Sequence, residues 1–191
     1  MQTSIFMCGV GGQGILTLNE LLGWAALLTG HEVKGNEVHG MAQRGGSVVC
    51  HLRFGEDVYS PLIPIGEADF IVSLEKSEVL RYHHYLRGKG GKVIINDFSI
   101  VPTTVSYGQA KYPGNLEEQY NKVFAEHLLV PANQLASEAG TPRAANTVLA
   151  GCLARHLPFS NDIWKQAIEK VFSANLVQTN LDAFQKGYSF S

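Results

Sequence analysis

The stretch Ser4-Ile5-Phe6-Met7-Cys8-Gly9-Val10-Gly11-Gly12-Gln13-Gly14-Ile15-Leu16 sets a short apolar run, a glycine-rich turn and the start of a helix in direct succession. Gly9, Gly11 and Gly14 fall at G-x-G-x-x-G spacing, where missing side chains let the backbone turn sharply, approach an anion and pack a helix on a strand. The bare amides of the following helix would then point at whatever sits above the turn. The same glycines also serve a strand-to-helix turn that binds nothing. The stretch therefore fixes an α/β architecture and leaves the ligand open.

Reading outward, Ile15, Leu16, Leu18, Leu21, Leu22, Ala25, Ala26, Leu27 and Leu28 cover nearly the whole circumference of a helix, which predicts burial all round. Gly30 ends that helix, and residues 31–38 supply a second strand that completes a βαβ unit. Glu37 then lies where dinucleotide folds carry their ribose-binding acid. Residues 39–47 are polar and glycine-rich without periodicity, and read as a functional loop or a short helical turn. The alternation from Val48 to Phe54 predicts a half-exposed strand, with Gly55-Glu56-Asp57 as a hairpin turn and Val58-Tyr59-Ser60 returning.

Further along, residues 69–74 and 92–96 are compact apolar runs suited to buried parallel strands, with a helix over 76–86 between them. Residues 97–114 lose periodicity and read as a loop or an edge strand. A helix over 115–125, a strand over 127–130 and a short helix over 132–139 follow. The next helix, 144–155, is packed with small residues (Ala144, Ala145, Ala150, Gly151, Ala154) that let another backbone come close, and Ser160 caps the helix after it. The expected fold is a Rossmann-like, doubly wound, mostly parallel sheet with a β-hairpin excursion and a helical C-terminal part.

A chain of 191 residues, 45% hydrophobic and 17% charged, suits one domain spanning residues 1–191. A formal net charge of -2 with no Lys/Arg-rich run argues against nucleic acid or an anionic membrane as partner, since phosphate binding needs clustered cations. Cys8, Cys50 and Cys152 stand far apart, so cysteines of this chain alone assemble neither an iron–sulfur cluster nor a zinc site. The N-terminus has no basic region before an apolar run, and no segment is long and apolar enough to span a membrane, so a cytoplasmic location is expected.

The glycine turn together with Glu37-Val38-His39-Gly40-Met41-Ala42-Gln43-Arg44-Gly45-Gly46-Ser47 closely resembles the gamma-type chains of the 2-oxoacid:ferredoxin oxidoreductases, and within them the indolepyruvate branch. The likeness continues through Ala68-Asp69, Val93-Ile94-Ile95-Asn96, Ala145-Asn146-Thr147 and Asn180-Leu181-Asp182-Ala183-Phe184 with Gly187, nearly the full length. It implies an enzyme that oxidatively decarboxylates a 2-oxoacid on thiamine diphosphate, passes electrons through iron–sulfur clusters to ferredoxin and delivers the acyl group to coenzyme A. This chain has no Gly-Asp-Gly segment followed by Asn-Asn to hold the magnesium of thiamine diphosphate. The resemblance thus places thiamine diphosphate, magnesium and the clusters on a partner subunit, leaves this chain inactive alone, and puts coenzyme A at the interface between them. Self-association of the isolated chain is expected through the face its partner covers. The competing reading is a free-standing dinucleotide-binding oxidoreductase or nucleotide-binding module built on the turn and Glu37.

The candidate binding residues are Gly9, Gly11, Gly12, Gln13, Gly14, Glu37, Arg44, Gly45, Gly46, Ser47 and Asn146. Arg44 leads, because a guanidinium offers five fixed donors to a phosphate or carboxylate and Gly45-Gly46 leave amides accessible beside it. An Arg44 ion pair with Glu37 is the competing reading. His39 reads as structural, with no second catalytic group near it in sequence. Glu75 and Glu78 read as carboxylates of an exposed first helical turn, favoured by the dipole alone. Gln13 and Asn146 serve either the loop or a ligand.

Overall fold

The computed structural model describes residues 2–39, 45–101, 103–109 and 111–190. The chain runs β1 (Thr3–Val10), α1 (Ile15–Leu28), β2 (Glu32–His39), β3 (Ser47–Gly55), β4 (Phe70–Ser73), α2 (Glu78–Tyr82), β5 (Lys92–Asn96), α3 (Thr103–Ser106), α4 (Leu116–Val123), β6 (His127–Val130), α5 (Ala132–Glu138), α6 (Ala145–Ala154), α7 (Asn161–Val171) and α8 (Ala174–Ser189). The strands form one sheet in the order β2-β3-β1-β4-β5-β6. β1, β4, β5 and β6 are mutually parallel, while β3 runs antiparallel to both β1 and β2.

Alternate residues of each strand enter opposite cores, as the period of two requires. Ile5 and Met7 of β1 join Cys50 and Leu52 of β3 and Val72 of β4 beneath α1, α6, α7 and α8. Phe6 and Cys8 join Ile71, Val93 and Ile95 on the other face, under Val79 of α2 and Tyr120 of α4. The sheet is therefore covered on both faces, as a doubly wound fold demands. Ser160 caps α7, its side chain accepting from Ile163 N.

The expected excursion takes a different form. The hairpin is β2–β3, and β3 inserts between β1 and β2, so the strand after α1 is parallel to β1 without touching it. Residues 58–60 do not return as a strand. They cross β3, where the Arg53 guanidinium donates to the carbonyls of Ser60 and Leu62 and Ile63 N donates to Nδ1 of the buried His51. Burial on both faces, rather than half exposure, is the result. The helix expected over 76–86 shrinks to α2 and a 3-10 turn at His83–Tyr85, and the stretch expected as loop or edge strand contains α3. In α1, Leu16 and Leu27 are half exposed, so burial is extensive but not complete.

The small residues of α6 do admit another backbone. A methyl on Gly151 would fall 2.8 Å from Tyr188 N of α8, and one on Gly187 of α8 would fall 2.7 Å from the Val148 carbonyl carbon of α6. The two helices interlock through these glycines, which fixes where the N-terminus of α6 stands against the sheet.

Candidate functional site

The connection after β1 leads to α1 on one face and that after β4 to α2 on the other, so the C-terminal edge between these neighbouring strands is a topological switch point, where open α/β sheets bind ligands. A cleft of about 850 Å³ opens there. Its floor is the turn Gly11 to Gly14 with Leu74 and Asn96, one wall is Phe98 and Ile100, and the other comes from residues 140–146 and α8.

The turn holds its shape through its own side chain. Gln13 Oε1 accepts from Val10 N at 2.7 Å, and Nε2 donates to the Leu74 carbonyl at 2.8 Å, tying the end of β1 to the end of β4. Asn96 Nδ2 donates to that same carbonyl at 3.0 Å and to Asn133 Oδ1, bringing β5 and the start of α5 into one frame. Gly14 sits at φ 80, a left-handed conformation that a side chain strains, and a Cβ there would meet Asn146 Nδ2 at 2.7 Å. Asn146 Nδ2 instead donates to the Gly14 carbonyl at 3.1 Å, joining α6 to the turn. Gln13 and Asn146 thus build the site's frame, their amides occupied by backbone groups.

Two helices of useful length begin at this cleft. Neither Gly14 before α1 nor Ala144 before α6 places a side-chain cap on its helix, and both residues line the cleft. The first-turn amides of α1 and the dipole of α6 therefore contribute positive potential to one space, while in α6 itself Ala145 N donates to the Pro142 carbonyl and Thr147 N to Asn146 Oδ1. Arg143 stands on the rim in the 3-10 turn Pro142–Ala144, exposed and without a carboxylate partner among the described residues. Two helix N-termini and a guanidinium converging on one cleft suit an anion such as a phosphate.

The other expected residues divide. Gly11 N donates to the Gly46 carbonyl at 2.9 Å, so that amide is consumed by the loop and is not free for a ligand. The same bond sets Gly45 and Gly46 beside the turn, with Gly45 at φ 76. Ser47 turns away from the cleft, its hydroxyl donating to Glu78 Oε2 and lying 2.9 Å from the Tyr82 hydroxyl. Glu37 pairs with Cys50 on β3, one full strand removed from β1, and does not line the cleft. Arg44 and the His39 side chain lie outside the described residues. Glu75 and Glu78, expected on an exposed turn, are buried, with Glu75 wholly so and Glu78 7% exposed. Glu75 Oε2 accepts from Ser77 N, Ser77 Oγ and Glu78 N, which caps α2.

Arg143 was not anticipated, whereas Asn96 ends its strand where open α/β sheets place ligand-side polar groups, and it lines the cleft. A signal for Arg143 exists: Thr141-Pro142 opens a helical segment, and a cation in a first turn runs against the dipole, which flags a purpose other than helix stability. Burial pushes the thiols of Cys8, Cys50 and Cys152 up to about 12, so all three are small core residues and remain protonated. Among the described residues no group of three His, Cys, Asp or Glu side chains is arranged to hold a metal ion, and no helix is long and apolar enough to cross a membrane.

A profile of the family described as pyruvate ferredoxin/flavodoxin oxidoreductase matches residues 4–190. The chain is 45% identical to the indolepyruvate oxidoreductase subunit IorB of Pyrococcus horikoshii, over 96% of this chain and 93% of that protein. Its fold is similar to the gamma subunit of a keto/oxoacid ferredoxin oxidoreductase from Geobacter sulfurreducens, with a TM-score of 0.71 at 19% identity over 97% of this chain and 96% of that one. It is also similar to part of the 2-oxoglutarate:ferredoxin oxidoreductase of Magnetococcus marinus with 2-oxoglutarate, coenzyme A and succinyl-CoA bound. There the TM-score is 0.73 at 18% identity, over 98% of this chain and 30% of that one.

Proposed function

The chain belongs to the pyruvate ferredoxin/flavodoxin oxidoreductase family, and we propose that it is the non-thiamine-binding subunit of an enzyme converting an arylpyruvate such as indolepyruvate to its acyl-CoA, with electrons passed to ferredoxin. The near full-length likeness to an indolepyruvate oxidoreductase subunit supports the substrate class. Thiamine diphosphate, magnesium and iron–sulfur clusters belong, on this reading, to the partner subunit, and the chemistry they supply is decarboxylation and electron transfer. This chain's own part is to bind and orient coenzyme A.

The observation that carries this assignment is the convergence of the uncapped N-terminus of α1, the N-terminal dipole of α6 and Arg143 on one cleft at the switch point. A phosphate of coenzyme A placed there gains the dipoles of α1 and α6 and a bidentate guanidinium. The rest of the molecule follows the cleft past Phe98 and Leu176, which line it and expose apolar surface suited to cover by the partner subunit. Excluding water there protects the thioester as it forms. Arg44 precedes Gly45, which the Gly11–Gly46 bond sets beside the turn, and is proposed as a second cation for the same ligand. The dinucleotide reading loses its basis, because β3 separates Glu37 from the turn that would hold the pyrophosphate.

Arg143→Ala in the assembled enzyme tests the assignment. The KM for coenzyme A should rise about tenfold or more with the KM for the oxoacid unchanged, as expected for losing a charge-assisted pair. Arg143→Lys should recover part of the loss, since the charge survives without the fork. An unchanged KM for coenzyme A in Arg143→Ala would contradict the site.

A further inference from the structure

Glu75 is wholly buried, yet among the described residues no cation pairs with it. Among the described residues its charge is held by Ser77 N, Ser77 Oγ, Glu78 N, Ile100 N and the Tyr112 hydroxyl. A buried carboxylate is tolerated only when its lone pairs are filled in this way. The donors divide by oxygen. Oε2 takes the three from residues 77 and 78 and completes the cap of α2. Oε1 takes no part in that cap and reaches across to residues 100 and 112, contributed by the segments on either side of α3.

This second set of bonds bears on the cleft. Phe98 and Ile100 line the cleft together with Leu176 and Thr179 of α8, so its shape depends on where residues 98–100 stand. The base of that strap is fixed independently, by Lys76 N donating to the Phe98 carbonyl at 3.0 Å and by the Lys76–Asp97 ion pair. Its far end hangs on Glu75 Oε1. The Ile100 N bond, at 3.3 Å, is the strap's tie to Oε1, and the Tyr112 hydroxyl, a charge-assisted donor, holds that oxygen in place to receive it.

We propose that Glu75 is a positioning residue for coenzyme A, with Oε1 and the Tyr112 hydroxyl forming a latch that keeps the Phe98–Ile100 wall closed on the ligand. The proposal rests on the assignment of coenzyme A to this cleft. If the latch opens, Oε1 exchanges two protein donors for water at little cost to the cap on Oε2. The wall then moves while α2 stays formed.

Tyr112→Phe removes one donor to Oε1 and keeps the ring, and because the hydroxyl also interacts with Ser77 and Ser99 the cap on Oε2 is read separately. In the assembled enzyme the variant should raise the KM for coenzyme A about three- to tenfold, with kcat at saturation and the KM for the oxoacid essentially unchanged. Amide exchange at Ile100 should quicken in the same variant, while exchange at Ser77 and Glu78 stays as in the wild type. Glu75→Gln should show the same effect on coenzyme A, with a loss of stability added because it also disturbs the cap. A lowered melting temperature in Tyr112→Phe with an unchanged KM would overturn the latch and leave Glu75 a purely structural carboxylate. Protection of the α1 first-turn amides by coenzyme A in the wild type separates the two layers. Its presence with an unaltered Tyr112→Phe KM rejects the latch alone, and its absence rejects the site and the latch together.

Discussion

Replacing Gly187 by alanine places a methyl group into the backbone of α6. It would stand 2.7 Å from the Val148 carbonyl carbon and closer still to its oxygen, roughly 0.7 Å inside the 3.4 Å at which ordinary contact begins. The obstacle is backbone held in a helix, not the end of a flexible side chain, so relief requires α6 and α8 to separate. That separation loosens the packing of Val148, Cys152, Ala183 and Phe184, all buried at this interface. Overpacking of this kind costs about 1–3 kcal/mol and more where backbone must move, against which alanine returns about 1 kcal/mol of helix propensity. A net loss of about 2 kcal/mol is expected, or about 4–8 °C in melting temperature for a chain of this size. Thermal melts followed by circular dichroism on wild type, Gly187→Ala, Gly151→Ala and the double variant measure it. Once one methyl has forced the helices apart the second costs less, so the double variant should lose less than the sum. A Gly187→Ala chain as stable as wild type would refute the close approach.

Gln13→Glu keeps the length of the side chain but turns a donor toward the Leu74 carbonyl into an acceptor. A loss of about 2–3 kcal/mol in chemical denaturation is expected, and equal midpoints would show that Gln13 does not join β1 to β4. Burial holds the His51 imidazole below its ordinary value of 6.5, and Nδ1 already accepts from Ile63 N. The unfolded chain therefore takes the proton first: stability contributed by neutral His51 is full above about pH 6.5 and declines as the pH is lowered through and below it. His51→Asn, whose carbonyl oxygen keeps an acceptor for Ile63 N, should flatten the profile between pH 7 and 5, and a profile of wild-type steepness in that variant would place the acid sensitivity elsewhere.

The parts of the fold that the sequence announces are those whose determinants are local. The run from Ser4 to Leu16 carries its strand, turn and helix within thirteen residues, and the small residues of α6 announce a close neighbour without naming α8. The insertion of β3 between β1 and β2 is different in kind. The alternation Val48, Cys50, Leu52, Phe54 fixes which side chains share a face, but not which strand lies alongside, and the cover on the other face comes from the loop bearing Ile63.

The site divides in the same way. The glycine turn is visible because its conformation is set by its own residues. The opposite wall is not, since Asn146 meets the Gly14 carbonyl from 132 residues away and Arg143 arrives with it. Glu75 looks like an exposed first-turn carboxylate for the same reason: two of its donors, Ile100 and Tyr112, are brought to it only by the fold.

The proposed function is a division of labour, in which this chain presents coenzyme A to chemistry carried out on another subunit. Its most direct test is reconstitution: purified chain, purified partner subunit, and the two together, each assayed for coenzyme A-dependent reduction of ferredoxin by indolepyruvate with the acyl-CoA product measured. Acyl-CoA should form at an appreciable rate only when both are present, and the chain alone should oxidise no 2-oxoacid even with thiamine diphosphate supplied. Turnover by this chain alone, or acyl-CoA formation at the full rate by the partner without it, would contradict the account.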